Sequence, residues 1–495
     1  MQFKLRMGEM LTVTHVLFAA SVLGCAVFGV GCTSSGSSYA TDVAIEQGEA
    51  IRRADGWIMV KLSGTPREIG LAHGKLLAPE IDEMLRLTKL QSEHTDDPDD
   101  PAMGWAWCRE AARTIIEPNI PADIREELQG ITDSVRSRGY NWDFIDMLAY
   151  NAVLDIEYYA PIWRKTHGQQ RPPKDPKPKM PAKSPTPERC SAFIATGSQT
   201  KDGRIVAAHN TWSGYVDGQR TNVIMDITPI RGHHFVMDTL PGMVHSTTDW
   251  FINDAGIIIT ETTISWFEGF DPKGIPEFAR ARHAAQFSES IDDVYRIFLK
   301  GNNGAYANTW LIGDIKTNEI AKLELGLKNT ILHRSTQGAY YGSNFPEDSK
   351  FTDEECVDFQ RDPDNGTEVR RARWNAVLAE YKGRVDADIA KQFMADIVDA
   401  RDGKVGATGC TLCGRGDTTP DKDGNYRAGG AINAKVTTSA LAEKLAFWAR
   451  IGFPDGSTFN AAAFLDGVGK RQEWQRPFLR DIPPQPWMLY DPARR

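Results

Sequence analysis

Apolar positions follow two different periods along the chain, on either side of a stretch that has almost none. Upstream, Trp57 to Leu62 alternates as one short strand and runs into Gly64-Thr65-Pro66-Arg67-Glu68. Thr65 and Glu68 have capping-box spacing, with Pro66 at the first helical position. Ile69, Ala72, Leu76, Leu77, Ile81, Met84 and Leu85 then keep a helical stripe, repeated by Ile124, Leu128, Ile131 and Val135 after Pro121. Residues 56–167 therefore read as a mostly helical segment. Downstream the period shortens to two, predicting strands at Ser191–Thr196, Arg204–Ala208, Thr221–Ile227, His234–Asp238, Ile257–Thr263, Asn308–Ile312 and Ile320–Leu325. Helical stripes fall at Ile291–Leu299, Val369–Tyr381 and Ile389–Val398, with a last helix near Leu441–Arg450. Strands flanked by helices predict a layered α+β domain over 190–495.

The dividing stretch, 168–189, holds seven prolines and is locally basic. Proline removes amide donors and the composition offers nothing to bury, so the stretch should be extended, exposed and open to proteolysis. Residues 1–32 carry Lys4 and Arg6 and then an apolar run, the form of an export signal. Cys25 and Cys32, each preceded by glycine, are candidate lipidation sites, and 33–55 would be a flexible tether beyond the second. The expected location is the periplasm or cell surface of a bacterium, through an amino-terminal lipid anchor in the membrane; otherwise the protein is secreted. A formal charge of −9 argues against nucleic acid as a partner.

Export permits disulfides. Cys410 and Cys413 form a lone CxxC without a second pair or a suitably spaced histidine, which speaks for a local bridge rather than zinc. Cys108 and Cys356 are a second candidate pair. Cys190 is left over, where the connector gives way to strand. If the Arg189–Cys190 bond breaks, Cys190 carries both a thiol nucleophile and a free α-amine. An α-amine titrates at about 7.7–8.0 and serves as a base at neutral pH. The chemistry implied is acyl transfer through a thioester. No nucleophile elbow, zinc motif or P-loop competes, and no metal or cofactor is expected.

A five-residue hairpin loop, 199–203, would pair Ser198 with Arg204 and set Cys190 opposite Trp212. Asn210 would share that face. His209 would not, unless a bulge intervened.

Cys190-Ser191-Ala192-Phe193-Ile194, His209-Asn210-Thr211-Trp212, Glu261-Thr262-Thr263-Ile264, Asn303-Gly304-Ala305-Tyr306, Gly342-Ser343-Asn344-Phe345-Pro346 and Gly429-Gly430-Ala431-Ile432 before Lys435-Val436-Thr437 together resemble, in order, the phospholipase B-like family. Arg67 to Gly74 is similar to penicillin acyltransferase-like hydrolases. Both are N-terminal nucleophile (Ntn) hydrolases. The resemblance implies a four-layer αββα sandwich, self-cleavage before Cys190 and retention of the amino-terminal fragment as a partner. It implies catalytic roles for His209 and Trp212 beside the nucleophile and polar contacts from Thr263 and Asn344. Arg371 would orient the site, with Arg370 and Arg373 as competitors. It also implies the Cys410–Cys413 bridge. Arg189 departs from the small residue the family places before its nucleophile. The substrate expected is a lipid or N-acylated small molecule, cleaved at an amide or ester. The alternatives are a small-molecule N-acyl amidase or acyltransferase, and a catalytically idle surface binding protein with the same fold.

Overall fold

A computed structural model describes residues 47–94, 102–167, 190–357, 363–420 and 424–494, together with the backbone of 41–45. The export signal with Cys25 and Cys32, and the connector with Arg189, lie outside the described residues. In chain order the strands are β1 (Thr41–Ile45), β2 (Gly48–Arg52), β3 (Ile58–Gly64), β4 (Ser191–Thr196), β5 (Val206–Gly214), β6 (Val223–Pro229), β7 (Phe235–Thr239), β8 (Trp250–Asn253), β9 (Ile257–Thr263), β10 (Asn308–Asp314), β11 (Glu319–Leu325), β12 (Thr330–Ser335), β13 (Gly338–Gly342), β14 (Gly429–Thr438), β15 (Phe447–Ile451) and β16 (Met488–Tyr490). Ten build one sheet, ordered β1-β2-β3-β6-β7-β8-β9-β10-β11-β12, and six build another, β13-β4-β5-β14-β15-β16. Within the first, β3 runs parallel to β6.

Pleating sends alternate side chains to opposite faces, and three apolar layers result. Val60 and Leu62 of β3 and Met225 of β6 cluster with Ile69, Leu76, Ile81, Leu128 and Ile131 of the helices Pro66–Leu76, Ala78–Ser92 and Ala122–Ser137. Ala192, Ile194, Ala207 and Phe447 of the small sheet cluster with Ile224, Trp250, Ile258 and Leu311 of the large one. Phe193, Ala208 and Val436 turn the other way, to Trp374, Leu378 and Phe393 of the helices Gly366–Glu380 and Ala387–Met394. Helix, sheet, sheet, helix is the αββα arrangement expected. Thr65 and Glu68 make the reciprocal capping bonds that start the helix Pro66–Leu76. That helix meets Ala122–Ser137 so closely that a Cβ at Gly70 would lie 2.0 Å from the Glu127 carbonyl oxygen.

Two expectations are corrected. The tether ends early, because β1 and β2 pair as a hairpin within 41–52 and β2 continues onto β3; only Ala50 of β2 is buried, so its sequence carries little apolar signal. The helix expected near Leu441–Arg450 is a four-residue turn, Ser439–Ala442, followed by strand β15. Here β15 pairs with β14, and tertiary pairing outweighs a weak helical stripe. The strand expected at Trp57–Leu62 occurs as β3, Ile58–Gly64, within the large sheet. Among the described residues no helix is long and apolar enough to cross a membrane.

Candidate active site

The β4–β5 register decides which side chains meet. Ser191 pairs with Asn210 and Ala192 with His209, one residue away from the predicted pairing. The cause is the connection: a 3-10 turn at Gly197–Gln199, closed by the Gly197 amide donating to the Gly203 carbonyl at 3.1 Å, replaces the five-residue loop. Gly197 and Gly203 both take positive φ there, 57° and 74°. The shift puts His209 on the inter-sheet face with Ala192, diagonal to Cys190, without the anticipated bulge. Asn210 faces outward instead, donating to the carbonyls of Met394 and Leu412. The main chain of Trp212 reaches the sulfur: its N–H lies 3.3 Å from Cys190 Sγ. Its indole lies against Gly414, where an added Cβ would come 2.5 Å from a ring carbon.

Cys190 is buried, with 3% exposure, and its carbonyl accepts from Arg370 Nη1 at 2.6 Å. The same guanidinium donates twice to Asn344 Oδ1, at 3.1 Å each, and to the Ser343 carbonyl. Asn344 Nδ2 in turn donates to the Thr263 carbonyl at 2.8 Å, so β9, the Ser343–Asn344 turn and Arg370 form one frame around the main chain of Cys190. Among the described residues Thr263 Oγ1 is buried without a hydrogen-bond partner, an atom left available to a ligand or a new amine. Arg371, the arginine expected here, points elsewhere: it bonds Glu368 at 3.3 Å and lies over the Phe345 ring. Arg373 pairs with Asp396. Successive helical residues differ by about 100° in direction, so only one of these neighbours can face the sheet, and packing selects the wholly buried Arg370.

Beside the thiol the two sheets bury a cluster of polar side chains. His209 Nδ1 lies 3.3 Å from Thr211 Oγ1, and its Nε2 lies 4.0 Å from Asp249 Oδ2. Burial, and then the Lys435 ammonium, hold the imidazole well below its usual titration range, hence neutral. Lys435, opposite His209 in the β5–β14 register, donates to Thr211 Oγ1 at 2.6 Å and to the Thr248 carbonyl at 2.7 Å. Burial pushes it down to about 8, against the pull of Asp238, Asp249, Cys190 and Glu261. Burial likewise raises Asp238 and Asp249 to about 6. Tyr306 donates to Glu261 at 3.1 Å. Asp249, Tyr306 and Asn344 are three of the six described non-glycine residues with left-handed backbone, at φ 59°, 49° and 69°. Such conformations are unfavourable and concentrate at functional sites.

Cys190, His209 and Asp249 offer donor atoms all within 4.8 Å of one another. A buried ammonium supplies positive charge beside them, which opposes binding of a dication there. The expected disulfides are not formed. Cys108 packs against the helical layer and Cys356 in a separate cluster around Phe351, and burial pushes each thiol up to about 12. Cys410 lies beside Gly366, whereas Cys413 is fully buried, so the turn directs the two sulfurs to different surroundings.

Asp238 and Asp249 were not singled out by sequence reasoning; Arg370 was named only as a competitor of Arg371, and Lys435 only within the string Lys435-Val436-Thr437. Lys435 also left a compositional signal, the one charge within the run Ala431 to Val436, and a lysine is seldom buried unless paired. Asp238 and Asp249 left none.

Comparison with known proteins adds a partial family match. The phospholipase B family model matches residues 124–339. An uncharacterized protein of Archaeoglobus fulgidus is 26% identical over 278 residues, covering 54% of this chain and 42% of its own length. A Rattus norvegicus protein, provisionally named phospholipase B-like 2, is 25% identical over 390 residues, covering 66% of this chain and 62% of its own. The chain thus spans less than two thirds of either relative. A crystal structure of a conjugated bile acid hydrolase variant from Clostridium perfringens matches with a TM-score of 0.34 and 12% identity, over 53% of this chain and 89% of that one.

Proposed function

We propose that this chain, phospholipase B-like over 124–339, is an exported acyl hydrolase activated by cleavage before Cys190. The observation that carries the reading is the double grip on one residue: Cys190 Sγ receives the Trp212 N–H while Arg370 holds its carbonyl, at the point where the Pro-rich connector ends. In maturation the sulfur adds to the Arg189 carbonyl carbon and the peptide C–N bond breaks as its nitrogen takes up a proton. Water then hydrolyses the thioester, leaving a carboxylate on Arg189 and an α-amine on Cys190. In turnover the thiol proton passes to that amine and the thiolate adds to the substrate's acyl carbon. Collapse expels an alcohol or amine, which takes the proton back, and water attacks the thioester to release the acid and restore the thiol.

Both fragments would stay together after the cut. β3 pairs with β6 along seven residues, Tyr150 donates to the Pro241 carbonyl at 2.8 Å, and Arg282 bonds Glu127 at 2.9 Å with both side chains buried. The substrate we favour is an N-acyl amide or a lipid, met at a membrane to which Cys25 or Cys32 tethers the enzyme.

Mass spectrometry of the purified protein tests maturation, the expected result being two associated fragments with Cys190 leading the second. Matched N-acyl amides and phospholipid esters test the substrate. An intact chain whose turnover survives Cys190→Ala would defeat the reading.

A further inference from the structure

We propose that Lys435 is a positioning residue, whose ammonium balances the negative charge of the inter-sheet polar cluster and thereby allows Cys190 to ionise. The inference rests on the reading of Cys190 as nucleophile. Lys435 is completely buried on β14 and anchored at two points, the Thr211 hydroxyl on β5 and the Thr248 carbonyl of the opposite sheet. It therefore links β5 to the segment just before β8 of the opposite sheet, with Cys190 among its electrostatic neighbours. The titratable groups around it come from every packed element. Asp238 lies on β7, Asp249 precedes β8, Glu261 lies on β9 with Tyr306 bonded to it, His209 is on β5, and Cys190 precedes β4. Beyond the sulfur, Arg370 is committed to the carbonyls and amide of the frame already described.

Carboxylates crowd this space. Asp238 accepts from Thr248 Oγ1 at 2.6 Å and from Asn433 at 3.2 Å, and Asp249 Oδ2 lies 4.0 Å from the imidazole. A thiolate formed among them is opposed by like charge, and in a site shut off from water that opposition is weakly screened. The imidazole gives no relief, because it is neutral. The ammonium is the cation held against these groups, and its contact with Thr211, whose oxygen also faces His209 Nδ1, couples its position to the ring beside the sulfur. A buried lysine is retained where its charge serves a purpose, since a hydrophobic residue of similar volume fills such a site at less desolvation cost.

The test is a titration of Cys190 in the full-length purified protein, read as the difference in thiolate ultraviolet absorbance between each protein and its own Cys190→Ser variant. Lys435→Met should raise the midpoint by about one pH unit or more, a tenfold loss of thiolate at neutral pH. Lys435→Arg should restore most of it. Should Lys435→Met not fold, Lys435→Met with Asp238→Asn removes charge in a balanced pair, and its midpoint should still lie above that of Asp238→Asn alone. Superimposable titrations in either comparison overturn the inference. The outcome is separable from that of the functional reading: a dead Cys190→Ala enzyme with an unmoved titration removes only the role of Lys435, whereas full turnover by Cys190→Ala removes the functional reading whatever the titration gives.

Discussion

The space between the two sheets is filled in two ways. Along most of its length Ile194, Ala207, Ile224, Trp250, Ile258, Leu311 and Phe447 close it as an apolar seam. At the end where β4 begins, the same two sheets and their adjoining turns present Cys190, His209, Thr211, Lys435 and Asn433 against Asp238 and Asp249. The pleat and the face are shared, so strand geometry does not distinguish the ends. What differs is the identity of residues at successive inward positions, as in β5, where Ala207 is followed on the same face by His209 and Thr211. The apolar end supplies burial free energy of roughly 25 cal/mol per Å², and the polar end costs desolvation that its hydrogen bonds only partly offset. The seam thus lets the protein keep a neutral imidazole, an ammonium and carboxyl groups out of water beside one thiol.

Changing the polar end should remove chemistry and spare the fold. Cys190→Ala should abolish both cleavage and acyl release, seen as one intact chain on a gel and turnover at background. Arg370→Met should slow turnover about a hundredfold, the scale for losing a preorganised donor, whereas Arg371→Met, altering only a partly exposed ion pair, should stay within about twofold. Equal effects from the two arginines would erase the distinction between them. Leu311→Ala, at the apolar end, should do the reverse: a loss of about 2–5 kcal/mol in denaturant unfolding, with cleavage retained where the protein is folded.

The smallest effect sharpens the comparison through pH. Asp238 and Asp249 are held at about 6 in the folded protein, above their ordinary carboxyl value. Between about pH 4 and pH 6 the folded state therefore binds more protons than the unfolded one, and these groups make stability fall as pH rises through that window. Asp238→Asn should gain on the parent protein across it, by on the order of 2–3 kcal/mol in all. A stability difference that stays constant with pH would show that burial does not perturb this carboxyl.

Much of the frame was legible. The capping box at Thr65 and the alternation over Ser191–Thr196 and Ile257–Thr263 are local signals, and those elements occur at the predicted positions. β2 and β15 were missed because short edge-side strands with few buried positions look like coil or helix until a neighbour pairs with them. In the site, Cys190 was marked by the change of composition in front of it. Arg370 was hidden among three arginines in four residues, because spacing does not say which way a helix turns.

By itself the sequence determined where strands begin and helices are capped, and which cysteine stands at the head of a strand, since these depend on neighbours within a few residues. Tertiary structure alone decided the one-residue register that brings His209 beside Cys190, the choice of Arg370, and the meeting of Lys435 with Asp238 and Asp249 across two sheets. Those depend on which distant strands pair and how two pleated faces stack, and small differences in loop geometry and packing set both.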